Sequence, residues 1–378
     1  MRIIYCLDSI NGIGGIQKVT LEKAGALADI LGNNVWIITA DNSGERQAPL
    51  HPKVHHLDLG INYYEDDWKS PWYVIKGILV KRRKHRRALR IILDEIQPNI
   101  VISVGQSEKN FLPRIRGPWK TIREFHFVKS YRQLHAHTCF DHLLAMGGDL
   151  MDRFVLKKYD RIVVLTQEDK ERNWRPWKNV SVIPNPAPPS SRHASLIPKR
   201  IIAIGRLTYQ KNFSSLIRAF AIVGQQFPDW SLDIFGEGEE REALSSEIRS
   251  LGLNSSIRLM GKASDVPGIL PDYSIFAMSS RFEGFPLVLV EALSCGLPVV
   301  SYACPCGPKD IIRDGVEGFL VPPGDEILLA ERLCRLIKEE NLRKRMGGAA
   351  LERANVFSIE KIIPLWMSLF EELSENTY

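Results

Sequence analysis

Ser280-Arg281-Phe282-Glu283-Gly284-Phe285-Pro286-Leu287-Val288-Leu289-Val290-Glu291-Ala292-Leu293-Ser294-Cys295-Gly296 is the stretch on which the reading of this chain turns. It follows Tyr273–Met278, an apolar run that reads as a buried strand. Pro286 suits the first turn of a helix and Gly296 its end. Leu287 to Val290 are all apolar, so the helix is buried on most sides and carries Glu291 into the interior. A carboxylate there is costly unless it is paired, and ribose hydroxyls are a good partner. Glu283 lies in the loop before the helix, where the N–H groups of Gly284, Phe285 and Leu287 would face an anion or a sugar. A helix-start carboxylate favoured by the dipole, beside a salt-bridged Glu291, is the plainer alternative. The pattern as a whole favours binding.

Working outward, Arg200–Ile204 reads as a strand ended by Gly205, and Arg206 and Lys211 project from the loop that follows. Ligands of open α/β sheets bind at that edge, where a guanidinium and an ammonium can hold a diphosphate and stabilise it as it leaves. Taken alone, two solvated cations explain this loop more simply. Further strands are expected at Ser231–Phe235, Ser256–Met260 and Pro298–Tyr302. In the first half, strands are expected at Arg2–Leu7, Val35–Thr39, Ile100–Val104, Thr121–Phe125 and Arg161–Leu165, with a helix over Gln17–Ile30. Gly12-Ile13-Gly14-Gly15 lies between the first strand and that helix. Such a loop serves as a tight turn or lets backbone approach a phosphate. Gln17 occupies the sixth position of GxGxxG, which counts against a nicotinamide dehydrogenase, although Asp41 ends the second strand. Thr166 and Asp169 have the spacing of a helix N-cap pair. The Pro-dense Ile183–Pro189, with Ser190 and Ser191, marks a linker.

With 378 residues, 44% of them hydrophobic and 25% charged, the chain is expected to be globular with two domains. Residues 1–190 carry 29 Lys and Arg against 20 Asp and Glu, while the remainder carries 21 against 24. The basic half is therefore expected to face something anionic. Six scattered cysteines without a CxxC pair read as reduced thiols in a cytosolic protein. No signal-peptide core and no bilayer-spanning run are visible, so membrane contact is expected to be peripheral.

Gly205-Arg206, Lys211-Asn212 and Glu283-x7-Glu291, followed by Gly296-Leu297-Pro298, resemble the family 4 retaining glycosyltransferases of the GT-B fold. The likeness covers nearly the whole chain and is strongest over Ile201–Pro323, including Cys306-Gly307-Pro308 and Asp314-Gly315-Val316-Glu317-Gly318. It implies an α/β protein of two facing Rossmann-like domains, with parallel sheets and the site in the cleft between them. The domains implied are an acceptor-side domain over 1–184, a linker over 185–199 and a nucleotide-sugar domain over 200–357. A C-terminal helix over 358–378 would pack back towards the first domain. The resemblance makes Arg206 and Lys211 diphosphate binders, Glu291 the ribose binder and Glu283 the carboxylate beside the donor sugar. Gly284, Phe285 and Pro286 would line that site, Gly14 or Gly15 would approach the phosphates, and the loop after Met260 would hold the base. His126, at a strand end in Arg123–Phe127, would contact the donor sugar and transition state. Phe127 stands where family members often carry Asp.

The implied reaction moves a hexosyl or N-acetylhexosaminyl group, with retention, from a nucleoside-diphosphate sugar to a glycan or lipid-linked acceptor. UDP is favoured over GDP, and bacterial surface polysaccharide assembly is the implied setting. Departure runs through an oxocarbenium-like state, with front-face attack assisted by a donor phosphate oxygen. No cofactor or metal is expected, since there is no Asp-x-Asp triplet and no zinc-type His/Cys spacing. A non-catalytic sugar-nucleotide sensor or scaffold is the alternative. Lys81-Arg82-Arg83-Lys84-His85-Arg86-Arg87 interrupts a helical pattern with cations on every face, so this part of the helix is expected to meet water or anions. With Trp68, Trp72 and Tyr73 before it, it suits docking on an anionic inner leaflet, or equally a plain solvated helix. No stacking-and-basic motif supports nucleic-acid binding.

Overall fold

The computed structural model describes residues 1–11, 14–41, 49–63, 71–129, 138–187 and 190–375, with backbone alone at 71–76, 139, 140, 142, 144 and 145. Strands and helices alternate along the chain. The first half carries β1 (Ile3–Leu7), α1 (Gly15–Leu31), β2 (Val35–Thr39), β3 (Val54–Asp58), α2 (Pro71–Ile96), β4 (Ile100–Ser103), β5 (Lys120–Glu124), α3 (Cys139–Leu156), β6 (Arg161–Val164), α4 (Gln167–Asn173) and β7 (Val180–Val182). There follow β8 (Arg200–Ile204), α5 (Phe213–Gln226), β9 (Ser231–Phe235), α6 (Arg241–Ser250), β10 (Ile257–Gly261), α7 (Val266–Ile269), β11 (Ile275–Met278), α8 (Leu287–Ser294), β12 (Val299–Tyr302), α9 (Pro308–Ile311), β13 (Gly318–Val321), α10 (Glu326–Lys338), α11 (Glu340–Ala354) and α12 (Ile359–Glu375).

Two compact units result. One comprises Met1–Leu165, Lys170–Ile183 and Ile362–Tyr378, and the other Thr166–Asp169 and Pro184–Lys361. The first unit contains a seven-stranded parallel sheet in the order β3-β2-β1-β4-β5-β6-β7, and the second a six-stranded one in the order β10-β9-β8-β11-β12-β13. Central strands such as Ile3–Leu7 are buried at every residue, as a sheet covered on both faces requires. The strand order reverses between β1 and β4 in the first sheet and between β8 and β11 in the second. Crevices at the carboxyl ends of such strands are where open α/β sheets bind ligands.

Within the first unit, Trp366 and Phe370 of α12 are fully buried. The hydrophobic core of the second unit is built from α5, α6, α10, α11 and strands β8 to β13, and includes the fully buried Leu216, Phe220, Ile234 and Leu333. Thr166 does cap α4, accepting the Asp169 N–H at 3.2 Å. The described cysteines Cys6, Cys295, Cys304, Cys306 and Cys334 are free thiols. Among the described residues no helix is long and apolar enough to cross a membrane.

One sequence expectation is corrected. The cationic run on α2 does reach the interior, because His85 is buried between Tyr63, whose hydroxyl lies 3.1 Å from Nδ1, and the Phe111 ring. A neutral imidazole can enter where lysine and arginine cannot. Burial holds His85 down at about 4, so it stays uncharged at neutral pH. Trp68 lies outside the described residues.

Candidate active site

In the second unit the loops after β8 and β11 flank the strand-order reversal, and they are bound to each other. Lys211 Nζ donates to Glu283 Oε1 at 2.6 Å, and Gln210 Nε2 donates to the Phe282 carbonyl at 3.0 Å. The Arg281 guanidinium reaches Asn212 Oδ1 at 2.8 Å and stacks 4.3 Å from the Tyr209 ring. Ser279 Oγ donates to the Lys211 and Asn212 carbonyls, both at 3.0 Å. These links hold the Lys211 side chain, 16% exposed, against a carboxylate that is 7% exposed. Arg206 is exposed and makes no ion pair among the described residues. No described residue neutralises it, so its guanidinium is open to an anionic ligand.

Glycine makes these approaches possible. A Cβ at Gly205 would lie 3.0 Å from the Lys211 stem. Gly236 and Gly238 have positive φ, and a Cβ on them would fall 1.8 Å from the Gly205 carbonyl oxygen and 2.3 Å from that of Leu207. Gly236-Glu237-Gly238 therefore forms the bed on which the Arg206 loop rests, with Leu207 N–H donating to Glu237 O at 2.9 Å. Sequence reasoning missed this pair, although GxG directly after a buried strand is a recognisable signal. Gly307, at φ +114, would with a Cβ touch Pro286 Cδ at 2.6 Å, and the Glu283 N–H donates to Pro305 O at 3.2 Å.

Helix α8 begins at Leu287, one residue later than the proline position suggests, with Pro286 as its extended N-cap. Phe285 and Pro286 are buried and Gly284 half-buried. No described acceptor takes the N–H groups of Gly284, Phe285 or Leu287, so this helix start keeps donors for a ligand. Glu291 is buried on α8, 8% exposed. Ser280 Oγ, at the head of the same loop, is buried without a partner among the described residues.

In the first unit, Gly14 and Gly15 open α1, with Gly14 as N-cap at an ordinary φ of −71. Glycine is thus not required there by backbone conformation. Gly12 and Ile13 lie outside the described residues. His126 follows β5, its side chain 4% exposed and its Nε2 3.2 Å from Glu124 Oε1. The buried Lys23 ammonium donates to the same oxygen and lies 4.7 Å from the Trp366 ring centroid. Burial alone would raise Glu124, but Lys23 and His126 outweigh it and hold the carboxyl at about 2. Burial lowers His126, keeping the imidazole neutral. Beside this group, Glu108 accepts from Ser103 Oγ at 2.6 Å, and burial with the nearby Asp8 charge pushes it up to about 7. Lys23, Glu124 and Glu108 were not found from sequence, because contacts between residues a hundred positions apart leave no local signal.

Residues 191–353 match the family Glycosyl transferases group 1. The chain is 31% identical to an uncharacterized glycosyltransferase of Haemophilus influenzae, over 97% of this chain and 99% of that one. It is 27% identical to the amylovoran biosynthesis glycosyltransferase AmsD of Erwinia amylovora, over 97% and 98%. Among solved structures it is similar in fold to a mutant of S. aureus TarM in complex with Fondaparinux, alpha-GlcNAc-glycerol and UDP. The TM-score there is 0.76 at 14% identity, over 98% of this chain and 100% of that one. The two Rossmann-like parallel-sheet units are those of the GT-B fold. The chain belongs to the group 1 glycosyl transferases.

The buried Glu124 makes a pH-dependent contribution. Its folded pKa is depressed, so the stability it confers is full above the unfolded carboxyl value and is lost as pH falls towards 2. Glu124→Gln strands Lys23 and is expected to cost about 3–5 kcal/mol at neutral pH. Urea unfolding should show that deficit at pH 7 and a smaller one at pH 3. An equal deficit at both would contradict the assignment.

Proposed function

We propose that this glycosyltransferase is a family 4 retaining enzyme. It moves a hexosyl or N-acetylhexosaminyl group from a UDP-sugar to a glycan or lipid-linked acceptor in bacterial surface polysaccharide assembly. The observation that carries the reading is Lys211 Nζ held 2.6 Å from Glu283 beside an unpaired Arg206, at the strand-order reversal of a parallel sheet. Arg206 and Lys211 take the diphosphate, and the free N–H groups before α8 add donors to the same anion. Glu291 accepts from the ribose hydroxyls, and Glu283 faces the donor sugar with Gly284, Phe285 and Pro286 around it. The start of α1 at Gly14 and Gly15 offers further N–H groups to phosphate, and the neutral His126 imidazole contacts the sugar. UDP is the favoured donor, in keeping with the UDP in the TarM complex. The name of AmsD supports a polysaccharide setting.

Bond cleavage builds positive charge on the sugar ring and negative charge on the leaving diphosphate. Two cations and a helix start, fixed in place before the reaction, stabilise that negative charge without a metal ion. The acceptor hydroxyl attacks from the departing face, and a donor phosphate oxygen takes its proton.

Incubation with UDP-glucose, UDP-galactose and their N-acetylamino analogues in EDTA, followed by proton NMR, tests the reading. An α-configured product is expected, and Arg206→Ala or Lys211→Ala should lower kcat/KM by about 100-fold or more. A β product would remove the retaining assignment. Absence of turnover with UDP-, GDP- and ADP-sugars alike would favour a sensor.

The acceptor reading places the protein on the inner face of the cell membrane, with α2 as the contact. Arg82, Arg83, Lys84, Arg86 and Arg87 are exposed, next to Leu79 and Val80, which are 54% and 58% exposed. Cations beside exposed apolar side chains suit an anionic interface. Changing Arg82, Arg83, Arg86 and Arg87 to Ser should reduce co-sedimentation with phosphatidylglycerol vesicles by about tenfold or more, each cation near such a surface contributing about 1 kcal/mol. Undiminished sedimentation would rule this contact out.

A further inference from the structure

Helix α3 has two apolar sides. Val155 and Leu156 belong to the core of the first unit, and Asp152 pairs with Lys109 at 3.3 Å. Its outer side should be polar, yet Leu143, Met146, Leu150 and Phe154 are 65%, 62%, 56% and 64% exposed. Their spacing of three, four and four residues sets them in one stripe along the helix. Contiguous exposed apolar surface of this kind marks a binding face.

Leu143, Met146 and Leu150 of the stripe line a cavity of about 780 Å³ that lies wholly within the first unit. Lys129 and Trp177 also line it, Arg153 and Arg172 add two further cations, and Asp149 is the one acidic residue among the described lining. Lys129 is fixed in place. Its ammonium donates to the Asn173 carbonyl at 2.9 Å and lies 4.5 and 5.3 Å from the rings of Trp174 and Trp177. An ammonium held over indole faces is spared the entropy of being ordered when an anion arrives. The volume falls within the ordinary range for small-molecule sites, roughly 300–1,000 Å³.

A cavity lined by hydrocarbon side chains and three cations selects an anion with an apolar tail. We propose that this cavity binds the phosphate end of a single lipid molecule. Lys129, Arg153 and Arg172 take the phosphate, and Leu143, Met146 and Leu150 take the first methylenes of the chain. The lipid's role as carrier of the acceptor rests on the glycosyltransferase reading given above, whereas its binding does not. Its lining shares no residue with the cationic run on α2.

Isothermal titration of the full chain with decyl phosphate below its micelle concentration tests the proposal, with inorganic phosphate and decyl maltoside as controls. Decyl phosphate should bind about tenfold or more tighter than either control, since it alone satisfies both the hydrocarbon lining and the cations. Leu150→Glu and Arg153→Ser should each weaken it by about tenfold or more, while the unfolding temperature and UDP affinity stay unchanged. Equal binding of inorganic phosphate would reduce the site to an anion site, and equal binding of decyl maltoside to an apolar patch. Either result overturns the proposal, as does unchanged affinity in both variants. A dimer that Leu150→Glu dissociates, with no decyl phosphate bound, would make this face a self-association surface. Loss of lipid binding with intact sugar-nucleotide turnover leaves the glycosyltransferase reading standing, and the converse leaves the lipid site standing.

Discussion

The ion pair between Lys211 and Glu283 is the contact on which the loops at the strand-order reversal of the second unit depend. Neither group can be left alone, because both are largely withdrawn from water. Removing one partner of such a pair costs about 3–5 kcal/mol, far more than forming it gains. The surrounding links follow from that constraint. Asn212 in the left-handed conformation, the Arg281 bridge and the Ser279 hydroxyl hold the two loops together, while Gly236 and Gly307 let neighbouring loops approach one or the other. A charged pair fixed this firmly is organised before any ligand arrives.

The first unit solves a similar problem with different residues. A lysine from the helix after its first strand, Lys23, meets a carboxylate at the end of a strand beyond the order reversal, Glu124. There the pair is fully buried and its role is support, since it fixes the Glu124 carboxylate against which His126 lies. Several polar atoms nearby lack partners among the described residues, including Tyr5 Oη, Arg123 Nε and Glu124 Oε2. Unpaired buried polar atoms are costly.

Much of this was legible in the sequence because parallel sheets write themselves as apolar runs. Val35–Thr39, Arg200–Ile204 and Ser231–Phe235 were read with their observed limits. The strands that went unread, β3, β7 and β13, all stand at sheet edges. Val54–Asp58 is mostly solvated and Val180–Val182 is three residues long, so neither has the buried run that betrays a central strand. Arg206, Lys211, Glu283 and Glu291 were singled out because each sits at a fixed distance from a strand end or helix start. Lys23 and Glu108 escaped because their meaning lies in contacts made only after folding, whereas the Gly236–Gly238 bed had a readable GxG signal after a buried strand. His85 shows the same limit in reverse, since a run of cations concealed the one member able to enter the interior.

Comparing UDP with uridine by titration against the wild type and Lys211→Ala tests the central claim most directly. If Lys211 serves the diphosphate, the variant should lose about tenfold or more in UDP affinity and keep its uridine affinity. A variant that binds UDP as tightly as the wild type would contradict the account.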